Sequence, residues 1–325
     1  MKALKKYVQL LLFSVLSITL VFYNFLEGKK LKGISLEEVL SIGSLEDDTL
    51  YMWVGITTDS TGHIYVTDAM DYSIKKFDAK GALIKKSGRK GQGPGEFLAP
   101  RLIEYHKGLI YVTDEKIPGI HVFDEDLNYK YHIILNLPIN DLCITRDDKI
   151  CVLSGFAASP EGLVIVNPKG NNKVDLKNPM DGEGFWSNWK KFKIDSAGSF
   201  YFVSTFEDKI EKRDGQMKEV WSRSLLGKKK AKFKKRTNFG PSEIPTEVLY
   251  KDIALDVYGN LFVLGGHVSQ NRSRDIYVLD NQGNHLLTLT LPELSHCIHI
   301  DSENCLYSRA GMATIIKKYK LKYAY

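Results

Sequence analysis

The chain has 325 residues, 43% of them hydrophobic and 26% charged, with a formal net charge of +6. Those proportions exclude a disordered chain and allow a large packed core, in one large or two ordinary domains. The positive excess is small for this length, and it proves local rather than general.

The first residues, MKALKKYVQLLLFSVLSITLVFYNFLEGKK, put lysines on both sides of an apolar run from Tyr7 to Leu26. About 20 apolar residues in a helix match a hydrocarbon layer ~30 Å thick. No small-x-small cleavage pattern follows the run. No cysteine precedes Cys143, which excludes a lipidated cysteine anchor. Residues 1–33 are therefore expected to form a cytoplasmic stub, an uncleaved signal anchor and a linker, with a cleaved, exported form as the alternative. Lys2, Lys5 and Lys6 precede the span and Lys29, Lys30 and Lys32 follow it, so the orienting charge bias is nearly balanced. The export-like character of the segment places the body, residues 34–325, outside the cytoplasm.

The body repeats. Copies begin at Ile56, Leu102, Leu142, Phe192, Ile253 and Ile298. Each runs in the same order: a short strand, a turn such as DSTG, DSAG or DVYG, a segment like IYV, a polar loop, a strand like IKKFD, a turn such as DAKG or DNQG, and a last strand. Period-two alternation between Gly, Asp and Asn turns is a strand and hairpin signature. Four short antiparallel strands repeated at ~40–60 residues predict a β-propeller, here all-β and six-bladed. No segment after the apolar run carries a helical period. The sixth copy ends at Tyr325 with three strands, and ISLEEVLSIGS, from Ile34, is a lone strand ahead of the first copy. It can supply the missing fourth strand and close the ring without an open edge. That step would also bring the anchor to the propeller rim.

GRKGQGPGEFLAPR, followed by IYVTD and preceded by IKKFDAKG, resembles the NHL repeats of six-bladed propellers. The resemblance spans residues 34–325 and is strongest in the first two copies. GEGFW at 182–186 and NFGPSE at 238–243 look like decayed versions of the glycine motif. A phosphate loop would need free backbone N–H groups and a helix behind them. Pro94 has no N–H, and LAPRLIEY does not read as a helix. The glycines are expected to carry a tight crossing between blades, with Phe97 packed between them.

Ligand sites of propellers usually gather on the face bearing the blade-to-blade crossings and the loops between second and third strands. Alignment of the copies puts Asp141, Lys190, Lys191, Lys251, Asp252, His296 and His299 on or just before inner strands. Arg272, Arg274, His267 and Arg309 are added by loops, and Tyr51, Trp53, Arg101, Trp186 and Trp189 lie nearby. Asp141, Lys191, Asp252, His296, His299, Arg272 and Arg309 are the candidate ligand contacts. Any propeller mouth carries solvated polar residues, which is the plainer reading of each one singly.

The resemblance also carries an alternative. Some NHL-like propellers are zinc-dependent amidating lyases, and other six-bladed relatives are calcium-dependent lactonases. A zinc site needs ligands from several blades. His296 and His299 come from one inner strand, and no third histidine appears on another inner strand. No cofactor is expected, zinc or calcium arising only under this alternative. Asp68, Asp78 and Asp114 recur with the repeat, so turn hydrogen bonding accounts for them better than calcium does.

Seven of the nine residues from Lys228 to Arg236 are basic: Lys228, Lys229, Lys230, Lys232, Lys234, Lys235 and Arg236. The run lengthens the crossing between the fourth and fifth copies. It can attract anionic lipid or an acidic envelope polymer by charge, or remain a solvated loop. Outside the cytoplasm, nucleic acid is not an expected partner. Cys143 and Cys151, and Cys297 and Cys305, straddle equivalent hairpins. A two-residue turn would put each pair on opposite faces, favouring free thiols, whereas a longer turn or a bulge would bring them together. The expected function is an envelope-anchored, non-enzymatic platform for a protein, peptide or glycan. A metal-dependent lyase or hydrolase centred on the channel is the second reading.

Overall fold

Short alternating segments separated by Asp-rich turns build every element of the body. The computed structural model describes residues 31–44, 46, 48–154, 162–166, 173–176, 186, 189–235, 243–268 and 271–325. The expected membrane helix and Arg236 lie outside the described residues. Among the described residues no helix is long and apolar enough to cross a membrane.

Strand β1 is Gly33–Ile42. Blade one holds β2 (Trp53–Thr58), β3 (Ile64–Asp68), β4 (Ser73–Phe77) and β5 (Leu83–Ser87). Blade two holds β6 (Pro100–His106), β7 (Leu109–Asp114), β8 (Ile120–Asp124) and β9 (Tyr129–Ile133). Blade three holds β10 (Asp141–Ile144), β11 (Ile150–Leu153), β12 (Leu163–Val166) and β13 (Lys173–Leu176). Blade four holds β14 (Lys190–Ile194), β15 (Phe200–Ser204), β16 (Ile210–Arg213) and β17 (Glu219–Arg223). A hairpin of β18 (Phe233–Lys235) and β19 (Glu243–Pro245) precedes blade five, which is β20 (Tyr250–Leu255), β21 (Leu261–Gly265), β22 (Asp275–Leu279) and β23 (His285–Thr290). Blade six orders β24 (Ile298–Ile300), β25 (Cys305–Ala310) and β26 (Ile315–Ala324), with β1 as its outermost strand. The molecule is thus an all-β, six-bladed propeller of four-stranded antiparallel blades, and the lone N-terminal strand completes the last one.

The chain divides into two compact units. One takes Met1–Leu36 with Leu321–Tyr325, and in it the Lys32 N–H donates to Ala324 O at 2.8 Å. The other, Glu37–Lys320, carries the blades. Its second strands are buried along most of their length, and IYVTD of β3 and LFVLG of β21 along all of it. A strand covered on both faces by neighbouring blades has no solvent face, so it reads as a nearly continuous apolar run. Outer strands such as β5 (LIKKS) are largely exposed, and lysines guard their open edges. Apolar clusters sit between blades rather than within them. One joins Tyr65 and Ile74 of blade one to Ile110, Val112 and Phe123 of blade two.

The glycine-rich crossing locks that joint. Phe97 is fully buried in this cluster, as expected. Its N–H donates to Arg89 O at 2.9 Å, and Gly91 N–H donates to Phe97 O at 3.1 Å. Glu96 accepts from Gly93 N at 2.8 Å and from Arg89 Nε at 2.7 Å. A Cβ on Gly88, whose φ is 103°, would sit 2.8 Å from both Phe97 and Tyr72 O. The motif is a clip, not a phosphate cradle.

The cysteine geometry corrects the two-residue-turn assumption. The connections are longer: Thr145 N–H donates to Lys149 O at 2.9 Å, and Asp148 takes a φ of 67°. Cys143 therefore lies directly opposite Cys151. In blade six His299 faces Tyr307, so Cys297 and Cys305 are not cross-strand partners. All four are free thiols. Burial pushes Cys151 and Cys297 up to about 12.

Candidate functional site

The inner strands converge on a narrow channel. Its cavity is about 80 Å³ and is lined from all six blades, including Gly55, Glu104, Asp141, Lys191, Lys193, Asp252, Cys297 and His299. Ion pairs bridge it. Lys193 Nζ lies 2.8 Å from Glu104, and Lys191 Nζ lies 3.6 Å from Asp141. Asp141 also accepts from Phe192 N at 2.8 Å, and Asp252 from Ile298 N at 2.9 Å, so each carboxylate ties its inner strand to the next. His299 Nε2 meets Thr58 Oγ1 at 2.9 Å. Burial raises Asp252 to about 6, and Asp141 adds to the rise while Lys191 opposes it. Burial and Lys193 lower His299 to about 4, so its ring is neutral at pH 7. Of the sequence-derived candidates, Asp141, Lys191, Asp252 and His299 meet here. The space holds a few waters at most. Among the described residues no group of three or more His, Cys, Asp or Glu side chains could hold a metal ion.

His296, Arg272 and Arg309 form a separate group on the crossing face of blades five and six. His296 lies ahead of β24, not on it. Lys251 Nζ donates to His296 Nδ1 at 3.0 Å and to Ser295 O at 3.4 Å. Lys190, expected at the mouth, is instead buried and paired with Glu211 at 3.2 Å. Burial alone would raise Glu211, but Lys190, Lys209 and Arg213 hold it down at about 2.

The basic run forms part of a hairpin. Phe233 packs on Phe206 with ring centroids 6.4 Å apart. Asp208 accepts from the backbone N–H groups of Leu225, Leu226 and Lys228 and from the Tyr250 hydroxyl, which pins the base of the segment. Lys228 and Lys232 pair with Glu247, both at 3.4 Å, and Lys230 pairs with Glu207 at 3.6 Å. Lys229, Lys234 and Lys235 are exposed.

A larger cavity lies elsewhere on the crossing face. It encloses about 720 Å³ and is lined by Arg101, Thr113, Asp114, Glu115, Pro118, Gly119, Asn136, Leu137, Pro138, Ile139 and Trp189. Blade two supplies the loop between β7 and β8, the crossing into blade three supplies 136–139, and Trp189 leads into β14. Asp114 shapes the rim from beneath. It accepts from Leu98 N and Ala99 N at 2.8 Å and from Lys116 N at 2.8 Å. Arg101 Nε lies 3.3 Å from Glu115. Trp189 stacks on Trp186 with centroids 5.6 Å apart, and Trp186 Nε1 donates to Glu243 O at 2.8 Å. Arg101 and Trp189 were visible as mouth residues in the sequence; Glu115 and Asn136 were not. Their signal is the proline in each loop, EKIPG and NLPIN, which stiffens a segment that is not a strand. The side chain of Trp53 lies outside the described part.

Solved structures share this architecture. A protein of unknown function from Bacteroides thetaiotaomicron is 11% identical, with a TM-score of 0.63 over 89% of this chain and 76% of its own. An auxiliary nutrient binding protein from the same organism is 11% identical, with a TM-score of 0.60 over 88% and 73%. Virginiamycin B lyase from Staphylococcus aureus is 12% identical, with a TM-score of 0.57 over 89% and 100%. At such identities the likeness is one of fold alone. No curated protein matches the sequence. The family model of DUF5128, a 6-bladed beta-propeller, matches residues 45–254. With four-stranded blades, inner strands meeting at an ion-paired channel and a family match over most of its length, the chain belongs to the DUF5128 family of six-bladed β-propellers.

Proposed function

We propose that this propeller is a non-enzymatic binding module whose ligand occupies the pocket between blades two, three and four. The pocket carries the reading. Its volume, about 720 Å³, falls in the range of small-ligand sites, ~300–1,000 Å³. A Trp face, apolar walls from Leu137 and Ile139, and polar groups from Arg101, Glu115 and Asn136 suit a short glycan best. A peptide of similar size is the second occupant. The nutrient binding neighbour agrees with a binding role. The channel supports the lyase reading poorly: it is small, Lys193 and Lys191 are paired with Glu104 and Asp141, and Asp252 is held by backbone N–H groups. The same proposal takes the repeats as NHL-like, residues 1–33 as a signal anchor and the body as extracytoplasmic. The exposed lysines of the hairpin would then face anionic lipid or envelope polymer.

The test is titration of the full chain in detergent with a panel of short envelope glycans and peptides, read by tryptophan fluorescence. Binding with intact recovery of the ligand is expected. Trp189→Ala should weaken it about tenfold or more, a loss of at least ~1.4 kcal/mol. Release of a cleaved product would favour the lyase or hydrolase. A ligand that binds the Trp189→Ala and Arg101→Ala variants as well as the parent would remove the pocket from the proposal.

A further inference from the structure

The group at blades five and six consists of hydrogen-bond donors. Lys251, at the start of β20, gives its ammonium to His296 Nδ1 and Ser295 O. A charged ammonium can only donate, so Nδ1 must accept. His296 therefore carries its ring proton on Nε2, and the residue is exposed. Arg309 lies near the end of β25, with its backbone N–H on Ser295 Oγ at 3.0 Å. His267 and Arg272 come from the loop between β21 and β22, and both are exposed. Among the described residues no carboxylate forms an ion pair with Lys251, His267, Arg272 or His296.

Backbone bonds hold these segments together. Gly266 N–H donates to Leu249 O at 2.7 Å, His267 N–H to Val248 O at 2.9 Å, and Ser273 N–H to Gly266 O at 2.8 Å. Ser295 N–H donates to Ser273 O at 2.9 Å. Arg272 and Ser273 hold left-handed φ values of 28° and 65°, conformations that non-glycine residues keep only when their surroundings enforce them. Like charges fixed at close range repel, and an anion relieves the repulsion.

The geometry points to an oxyanion-binding corner formed by Lys251, His267, Arg272, His296 and Arg309, which takes a compact carboxylate or phosphate group. A donor-only, cation-rich site matches a ligand that only accepts. The site is lined by residues other than those of the pocket between blades two, three and four, so either can fail without the other. The groups facing Lys251 are Arg309 from β25, His296 and Cys297 ahead of β24, and His267 from the β21–β22 loop, with Arg272 beside His267. Burial and Arg309 lower Lys251 to about 8. Burial, Lys251, Arg309 and His267 lower His296 to about 4. Anion affinity accordingly falls as pH rises through 8, where Lys251 gives up its proton.

The test is the melting temperature of the full chain in detergent at constant ionic strength. Inorganic phosphate and galacturonate are the two probes, added in separate titrations. A ligand that binds only the folded state raises the melting temperature with concentration. A saturable rise with either probe is expected. A response to phosphate alone names phosphate, and a response to galacturonate alone names a carboxylate. Lys251→Met and, at an exposed position that spares the core, Arg272→Ala should each lower the apparent affinity about tenfold. Lys80→Met, the same charge change at a distant exposed turn, should leave it unchanged. Absence of a saturable rise with both probes, or an equal rise in all variants, overturns the site.

Discussion

At the scale of single residues, a repeated trio explains how the blades keep polar groups in a dry interior. Asp301 Oδ1 accepts from Glu303 N and Cys305 N, while its Oδ2 takes the buried Tyr307 hydroxyl at 2.9 Å. Lys318 lies 5.0 Å from the Tyr307 ring centre and 3.5 Å from Asp301. Asp195, Tyr201 and Lys212 repeat the arrangement in blade four, and Asp59, Tyr65 and Lys76 repeat its Asp–Tyr bond and ring contact in blade one. The six-residue spacing from Asp to Tyr was present in the sequence, but only the hairpin register makes it a contact. A hydrogen bond to a charged, buried acceptor is worth about 1.5–3 kcal/mol, and an exposed one far less. Tyr307→Phe should therefore lower unfolding stability by about 2 kcal/mol. Tyr105→Phe removes an exposed bond to Glu125 and should cost less than about 0.5 kcal/mol. Denaturant midpoints of the two variants decide it; equal losses would show that the trio contributes nothing beyond packing.

At the scale of elements, what was legible in the sequence was local. The strand order, the six blades and the β1 closure all follow from alternation and from Asp-x-x-Gly turns, which act over a few residues. The clip at 88–97 was read as architecture because Pro94 and the missing helix ruled out a phosphate loop. Its energetics follow from burial. Phe97→Ala opens a cavity at a fully buried joint and should cost about 3–5 kcal/mol. Gly88→Ala meets Tyr72 O, a backbone atom that cannot swing aside, and should cost about 2 kcal/mol or more. A denaturation midpoint within error of the parent for either variant would refute the clip. Contacts between elements were not legible. Glu104 and Lys193 lie 89 residues apart and meet only because the inner strands converge. The basic run looked like a bare loop because its partners, Glu207 and Glu247, lie outside it. The cysteines misled through a turn longer by an odd number of residues. The pocket was only half visible because three separate connections build it, and a single sequence does not show which loops face one another.

At the scale of the whole molecule, buried titratable groups set how stability responds to pH. His121 is buried against His132 with ring centroids 4.5 Å apart, and burial followed by His132 lowers it to about 4. His299 in the channel is lowered to a similar value. A histidine whose folded value lies below its unfolded 6.5 opposes protonation in the native state. Its contribution is therefore intact above 6.5 and is lost as pH falls toward 4. Asp252 runs the other way, because its folded value of about 6 exceeds the unfolded 3.8. It favours the folded state more as pH falls through the same window. His121 and His299 together outnumber Asp252, and His132, which burial also lowers, acts in the same direction. The unfolded chain thus binds at least about one more proton near pH 5, a slope of ~1.4 kcal/mol per pH unit or more. Exposed His296 adds little, since solvent screens it. Glu211 extends the loss below that range: held at about 2 against an unfolded 4.5, it gives up its contribution as pH falls between those values. Urea unfolding of the full chain in detergent should show stability falling from pH 6.5 to pH 4 and falling further below it. His121→Phe, which keeps the ring stack and removes one titration, should lessen the upper part of that slope, with His299 and His132 left against Asp252. A parent curve that is flat or rises toward pH 4 would mean that Asp252 outweighs both histidines, and that the channel rather than the blade interiors governs acid stability.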